Sequence, residues 1–156
     1  WCQEFRRVLF RSYAAIKALL PPKVEGQRFA RGLVLVDPPY EAQLAEFGAA
    51  FAALRDGLGR WPQATFALWY LLKQRRALQR AYRQAAALPA RSALLAELLV
   101  RPDDSPLRLN GSGMLLFNPP FGIETRLPAT LSALRGQLEE APGAGDWRLQ
   151  WPKARD

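Results

Sequence analysis

The chain has 156 residues with 22 Lys and Arg against 14 Asp and Glu, a formal charge of +8, one cysteine and no histidine. Imidazole catalysis, histidine metal sites, disulfides and cysteine zinc sites are thereby excluded, and no apolar run approaches the ~20 residues that cross a membrane. About half the residues are apolar and a quarter charged, which fits one packed domain in a reducing, cytoplasmic setting, with no signal-peptide pattern at its start. Glu4-Phe5-Arg6-Arg7-Val8-Leu9-Phe10-Arg11-Ser12 is what results from translating a common short-read sequencing adapter. Residues 1–12 are therefore expected to be a non-native scar, and residues 13–156 the native part of a truncated reading frame. The scar carries +2 of the charge, leaving +6 from Tyr13 onward, mostly as arginine. Such a balance suits a polyanionic partner; it is also what arginine-rich coding in a high-GC genome produces.

Tyr13 to Leu20 reads as a short helix stopped by Pro21-Pro22, and Lys23 to Arg31 as a polar loop. Gly32-Leu33-Val34-Leu35-Val36 is a buried parallel strand, followed by Asp37-Pro38-Pro39-Tyr40. Leu44, Phe47, Phe51, Leu54 and Leu58 then mark a helix burying one stripe, ended by Gly57, Gly59 and Pro62. Thr65 to Tyr70 is a second strand and Lys73 to Ala87 a helix. In that helix Lys73, Arg76, Arg80 and Arg83 form one stripe and Leu78, Ala81, Tyr82 and Ala85 another. The basic stripe is either a solvated face or a face for the RNA backbone. Leu94 to Val100 is a third strand, Pro102 to Gly113 a polar loop with an Asn110-Gly111 turn, and Met114 to Phe117 a fourth strand antiparallel to the third. Leu127, Leu131, Leu134 and Leu138 mark a helix, Glu139 to Asp146 is a loose linker, and Trp147 to Trp151 is an alternating edge strand.

The functional signal is the junction at Asp37. Open α/β sheets bind ligands beyond the carboxyl ends of their strands, where this residue falls. Two prolines remove two donors and fix φ, leaving rigid carbonyls beside a carboxylate and an aromatic face. That set suits an exocyclic amino group on a flat base, and it is the signature of amino-methyltransferases acting on adenine, cytosine or glutamine nitrogen. An ordinary turn uses the same residue types. A magnesium-holding acidic strand of a nucleotide triphosphatase would need a phosphate loop, and no G-x-x-x-x-G-K-[ST] occurs. Asn118-Pro119-Pro120-Phe121 repeats the pattern after a second apolar run.

Leu20-Pro21-Pro22, Arg31 to Tyr40, Ala67-Leu68-Trp69-Tyr70, Glu97 to Asp103 and Ser112 to Pro120 occur in the order and spacing of one family. From Tyr13 to Trp151 the chain resembles the C-terminal half of the ribosomal large-subunit methyltransferase J family. The resemblance implies α/β architecture: the C-terminal half of a Rossmann-like S-adenosylmethionine-dependent methyltransferase sheet, ending in an antiparallel hairpin. It implies N6-methylation of an adenine in 23S ribosomal RNA, with S-adenosyl-L-methionine as cofactor, no metal, no membrane, and a monomeric intact parent. Asp37 to Tyr40 is the catalytic motif in that resemblance, and Asn118 to Phe121 belongs to a late strand-to-helix turn of structural role. Asp37 and the Pro38 carbonyl would hold the amino group, Asp37 would also touch the cofactor, and Tyr40 would stack on the flipped base. Trp69 and Tyr70, at the end of the neighbouring strand, either line the base pocket or fill the core; Tyr70 joins Tyr40, Lys73, Arg76, Arg80 and Arg83 as candidate RNA contacts.

The chain departs from the family at Leu71, where proline is usual, and at Arg11-Ser12, where an Asp-Gly pair is usual. The glycine-rich turn, the acidic residue after the second strand and a helical insertion would lie in an N-terminal half ahead of Tyr13, so the chain alone is expected to be inactive. A DNA adenine-N6 methyltransferase shares the chemistry, and a non-enzymatic RNA-binding module would use the basic helix alone.

Overall fold

The computed structural model describes residues 13–39, 43–106 and 109–154, so the adapter-like stretch lies outside the described residues. Residues 13–19 form α1, which buries Ile16 and ends ahead of Pro21-Pro22. The expected loop after it holds a two-residue antiparallel ladder, β1 (Lys23–Val24) and β2 (Gln27–Arg28), turned through Glu25 and Gly26 at positive φ.

β3 (Leu33–Val36) lies parallel to β4 (Thr65–Leu72), with Leu33 opposite Thr65 and Val36 opposite Leu68. The expectation of a buried strand is met on one face only. Val36 is buried, whereas Leu33 and Leu35 are 70% and 62% exposed. Among the described residues β3 is the outermost strand, paired with β4 alone.

α2 (Gln43–Arg60) connects the two strands and buries Phe47, Phe51, Leu54 and Leu58 as the spacing predicts. Leu44 departs from that stripe and is exposed, because Gln43 makes the first-turn contact with β4 instead. The helix runs through Gly57 and Gly59 to Arg60 rather than ending at them. Gly57 is needed for packing: a Cβ there would stand 2.6 Å from the Phe66 ring.

The segment expected as one helix from Lys73 divides into a 3-10 turn (Arg75–Leu78) and α3 (Gln79–Ala86), after Gln74 in extended conformation. Leu78, Ala81 and Ala85 are buried and Tyr82 packs against the core, so the apolar stripe holds. β5 (Ala93–Leu99) and β6 (Gly111–Phe117) are antiparallel, as anticipated, but β6 begins at Gly111 and lies between β4 and β5, antiparallel to both. The Asn110-Gly111 pair is accordingly not a loop turn. Asn110 is fully buried and its Nδ2 donates to the carbonyls of Lys73 and Ser105. Gly113 misleads a propensity reading because the Tyr70 ring occupies the space of its missing Cβ.

α4 (Ile123–Leu138) follows, and β7 (Asp146–Lys153) closes the sheet on the outer edge of β5. The order of the five-stranded sheet is β3-β4-β6-β5-β7. The main core lies between the sheet and α1, α2 and α3, centred on Leu54, Leu58, Phe66, Leu68, Leu95 and Phe117. Leu131 of α4, with Leu94 and Ala96, is buried outside that cluster. Only Leu131 of the predicted leucine stripe is buried, while Leu134 and Leu138 are exposed.

Candidate active site and nucleic-acid face

Asp37 is the first residue past the Val36–Leu68 pair, at the carboxyl edge of the parallel strands, and it is exposed. Pro38 behind it is buried and Pro39 half-buried, which anchors the turn while leaving the carboxylate toward solvent. Tyr40, expected to stack on a base, lies outside the described residues.

The second motif stands at the opposite end of the sheet. β6 runs antiparallel to β4, so its carboxyl end meets the amino end of β4, with Phe117 opposite Phe66. Asn118, at φ 51°, donates from Nδ2 to the carbonyls of Pro62 (3.0 Å) and Ala64 (3.2 Å), and its Oδ1 accepts from the Arg91 amide at 2.8 Å. Its own carbonyl accepts from the Thr65 hydroxyl at 2.8 Å. These bonds tie three chain segments together, which gives Asn118 a structural task at this end of the sheet.

Tyr70 corrects an expectation. It is 1% exposed, stands edge-on to Phe47, and its hydroxyl donates to Glu97 Oε1 at 2.7 Å. Side chains alternate along a strand, and Tyr70 faces the side that packs on α2 and α3, which removes it from any base pocket. Glu97 is itself fully buried and collects four donors. The Tyr70 and Tyr82 hydroxyls meet Oε1, and the Nε atoms of Arg75 and Arg148, each at 2.9 Å, meet Oε2. Arg75 also pairs with Asp146 at 2.6 Å, and Arg148 lies over the Tyr82 ring. Burial, then the Glu97 charge, pushes the Tyr70 phenol well above its usual range, and burial with the Glu97 hydrogen bond does the same to Tyr82. Both therefore stay protonated donors at working pH. Glu97 carried a readable signal, a lone acid in the apolar run Leu94 to Val100, but nothing in sequence names its partners.

The four predicted basic residues, Lys73, Arg76, Arg80 and Arg83, are all exposed. They do not form one helical stripe. Lys73 sits in the bend after β4, Arg76 in the 3-10 turn and only Arg80 and Arg83 on α3. Arg76 donates to Gln74 at 2.9 Å, and none of the four pairs with a carboxylate among the described residues. Arg75, which the periodicity passes over, turns inward to Glu97 instead. Among the described residues no group of three acidic, cysteine or histidine side chains is arranged to hold a metal ion, and no helix is long and apolar enough to cross a membrane.

A parallel strand pair running into antiparallel strands, with an acid at the carboxyl end of β3, is the architecture of the Rossmann-like methyltransferases. The chain belongs to the family described as ribosomal RNA large subunit methyltransferase D, RlmJ, whose model matches residues 8–153. That match begins inside the adapter-like stretch. The chain is 35% identical over 139 residues to the ribosomal RNA large subunit methyltransferase J of Haemophilus influenzae and 32% identical over 139 residues to that of Escherichia coli. Each alignment covers 89% of this chain and 47% of the relative, so the chain spans about half the length of the curated relatives it matches. Protein LPL1258 of Legionella pneumophila superposes with a TM-score of 0.72 at 20% identity, covering 88% of this chain and 48% of that one, which supports the fold.

Proposed function

We propose that the protein, completed by an upstream half, methylates N6 of an adenine in 23S ribosomal RNA with S-adenosylmethionine as donor. The observation that carries this reading is the exposed carboxylate of Asp37 at the carboxyl edge of β3, in a chain belonging to the RlmJ family. An adenine amino group is a poor nucleophile because its lone pair is delocalised into the ring. Accepting both of its hydrogens returns electron density to nitrogen. The Asp37 carboxylate and the Pro38 carbonyl are the acceptors, and Tyr40 supplies a stacking face worth ~1–3 kcal/mol.

The residues present fit the acceptor side of such a reaction: an exposed acid at the end of the strand, followed by two prolines that fix the backbone and bring no amide donor to the turn. In this reading Asp37 would also touch the cofactor, which when bound supplies an electrophilic methyl group. The glycine-rich cradle for that cofactor belongs to the proposed upstream half, and the reaction needs no metal. Lys73, Arg76, Arg80 and Arg83, none paired with a carboxylate among the described residues, offer charges to the RNA backbone. Such a substrate sets the protein in the cytoplasm.

Methyl transfer from labelled cofactor tests the reading. Asp37→Ala in the completed protein is expected to lower the rate at least ~100-fold, the low end for a positioned acid or base. A near-normal rate would eliminate Asp37 as the site. Transfer to duplex DNA in preference to 23S RNA would move the substrate class, and RNA binding without transfer by the completed wild type would make the protein a binding module.

A further inference from the structure

Pairing between β3 and β4 stops at Val36 and Leu68, yet β4 continues to Leu72. Backbone groups alternate sides along a strand. Leu72 gives its carbonyl to the Asn110 amide on the β6 side, so Leu71 faces the side that β3 has left. Pro38 and Pro39, which follow β3, have no N–H to offer. The Leu71 pair is satisfied by a side chain instead. Gln43 Oε1 accepts from the Leu71 amide at 2.6 Å, and Gln43 Nε2 donates to the Leu71 carbonyl at 2.9 Å. A donor facing oxygen and an acceptor facing nitrogen leave only one orientation for the amide. Gln43 thus imitates one more residue of a paired strand.

We propose that Gln43 is a positioning residue for methyl transfer, fixing where Asp37 and Pro38 stand relative to β4. The proposal rests on the function proposed above. Val36 on Leu68 anchors the segment before the motif, and Gln43 on Leu71 anchors the helix after it, both to the same strand. With either anchor gone, Asp37 is held from one side only. A displacement of ~1 Å at a reacting group costs on the order of 100-fold in rate.

Gln43→Met keeps the length and apolar stem but removes both bonds. Gln43→Glu keeps the acceptor and sets a charge against the Leu71 carbonyl. Protonating that introduced carboxyl restores a donor beside an acceptor, so Gln43→Glu contains its own rescue. Its pKa is raised above ~4.3 by the facing carbonyl and partial burial, and the rescue develops as pH falls.

The assay is methyl transfer by the completed protein between about pH 8 and 5, each variant expressed as a ratio to wild type at the same pH, with Asp37→Ala alongside. Both Gln43 variants should lose at least ~10-fold in kcat at pH 8, with the KM for S-adenosylmethionine within about two-fold of wild type. The Gln43→Glu ratio should then climb toward one at low pH, while the Gln43→Met ratio stays flat. Should Gln43→Met fail to fold, the Gln43→Glu profile decides alone. A kcat ratio near one at pH 8, or a Gln43→Glu ratio that does not change with pH, overturns the proposal while an inactive Asp37→Ala leaves the functional reading standing. An active Asp37→Ala, or a completed wild type that transfers no methyl group, brings down both.

Discussion

Replacing Glu97 by Gln is an almost isosteric change that removes the buried charge and turns one acceptor oxygen into a donor. The amide oxygen can take the place of Oε2 against Arg75 and Arg148, but its NH2 is a donor where Oε1 accepted, so the Tyr70 and Tyr82 hydroxyls lose the acceptor of their protons. The carboxylate charge that faces two arginines is lost as well. Hydrogen bonds to charged groups are worth ~1.5–3 kcal/mol against ~1 for neutral ones, so the lost charge alone costs about 1–4 kcal/mol for the pair. Arg75 retains Asp146 at 2.6 Å, whereas Arg148 has no other carboxylate partner among the described residues. At ~2–4 °C per kcal/mol for a chain of this size, the thermal midpoint should fall by ~2–16 °C. Glu97→Ala, which also empties the site and orphans both hydroxyls, should cost ~3–5 kcal/mol. Thermal and urea unfolding followed by circular dichroism give both values. A Glu97→Gln variant that unfolds within ~0.5 kcal/mol of wild type would show that the four donors are not held by the charge of Glu97, and would refute the account of how β7 and α3 are fastened to the sheet.

Replacing two of Lys73, Arg76, Arg80 and Arg83 by Ala should weaken RNA binding alike for all sequences and flatten the log-log salt dependence by nearly two units, at ~0.7–0.9 per phosphate contact; an unchanged slope would mean a solvated face. Asn118→Ala should destabilise the fold by ~1–3 kcal/mol, because it leaves the Ala64 carbonyl without its donor and hands the exposed Arg91 amide and Pro62 carbonyl to water, while in the completed protein kcat stays within about two-fold of wild type. A larger loss of kcat than of stability in that variant would return the second motif to the chemistry.

Much of the sheet was legible from sequence because strand runs and helix stripes are local signals. β3, β4, β5 and the late edge strand are visible as apolar or alternating segments, and the Asp37 junction stands out because two prolines after a strand-ending acid restrict the backbone at that point. Where sequence misled, a neighbour distant in the chain was responsible. β6 starts at Gly111 rather than Met114 because Gly111 and Gly113 are strand residues made necessary by the Leu98 backbone and the Tyr70 ring, a reason invisible to propensity. Tyr70 passes from candidate base contact to core because Glu97, 27 residues away, takes its hydroxyl. Chemical content also cannot separate Asp37-Pro38-Pro39-Tyr40 from Asn118-Pro119-Pro120-Phe121. Their strands run in opposite directions, and that alone sends the two motifs to opposite edges of one sheet. Residue type and spacing define what a side chain is able to do; which groups meet depends on strand order and direction, set by pairing across the whole chain.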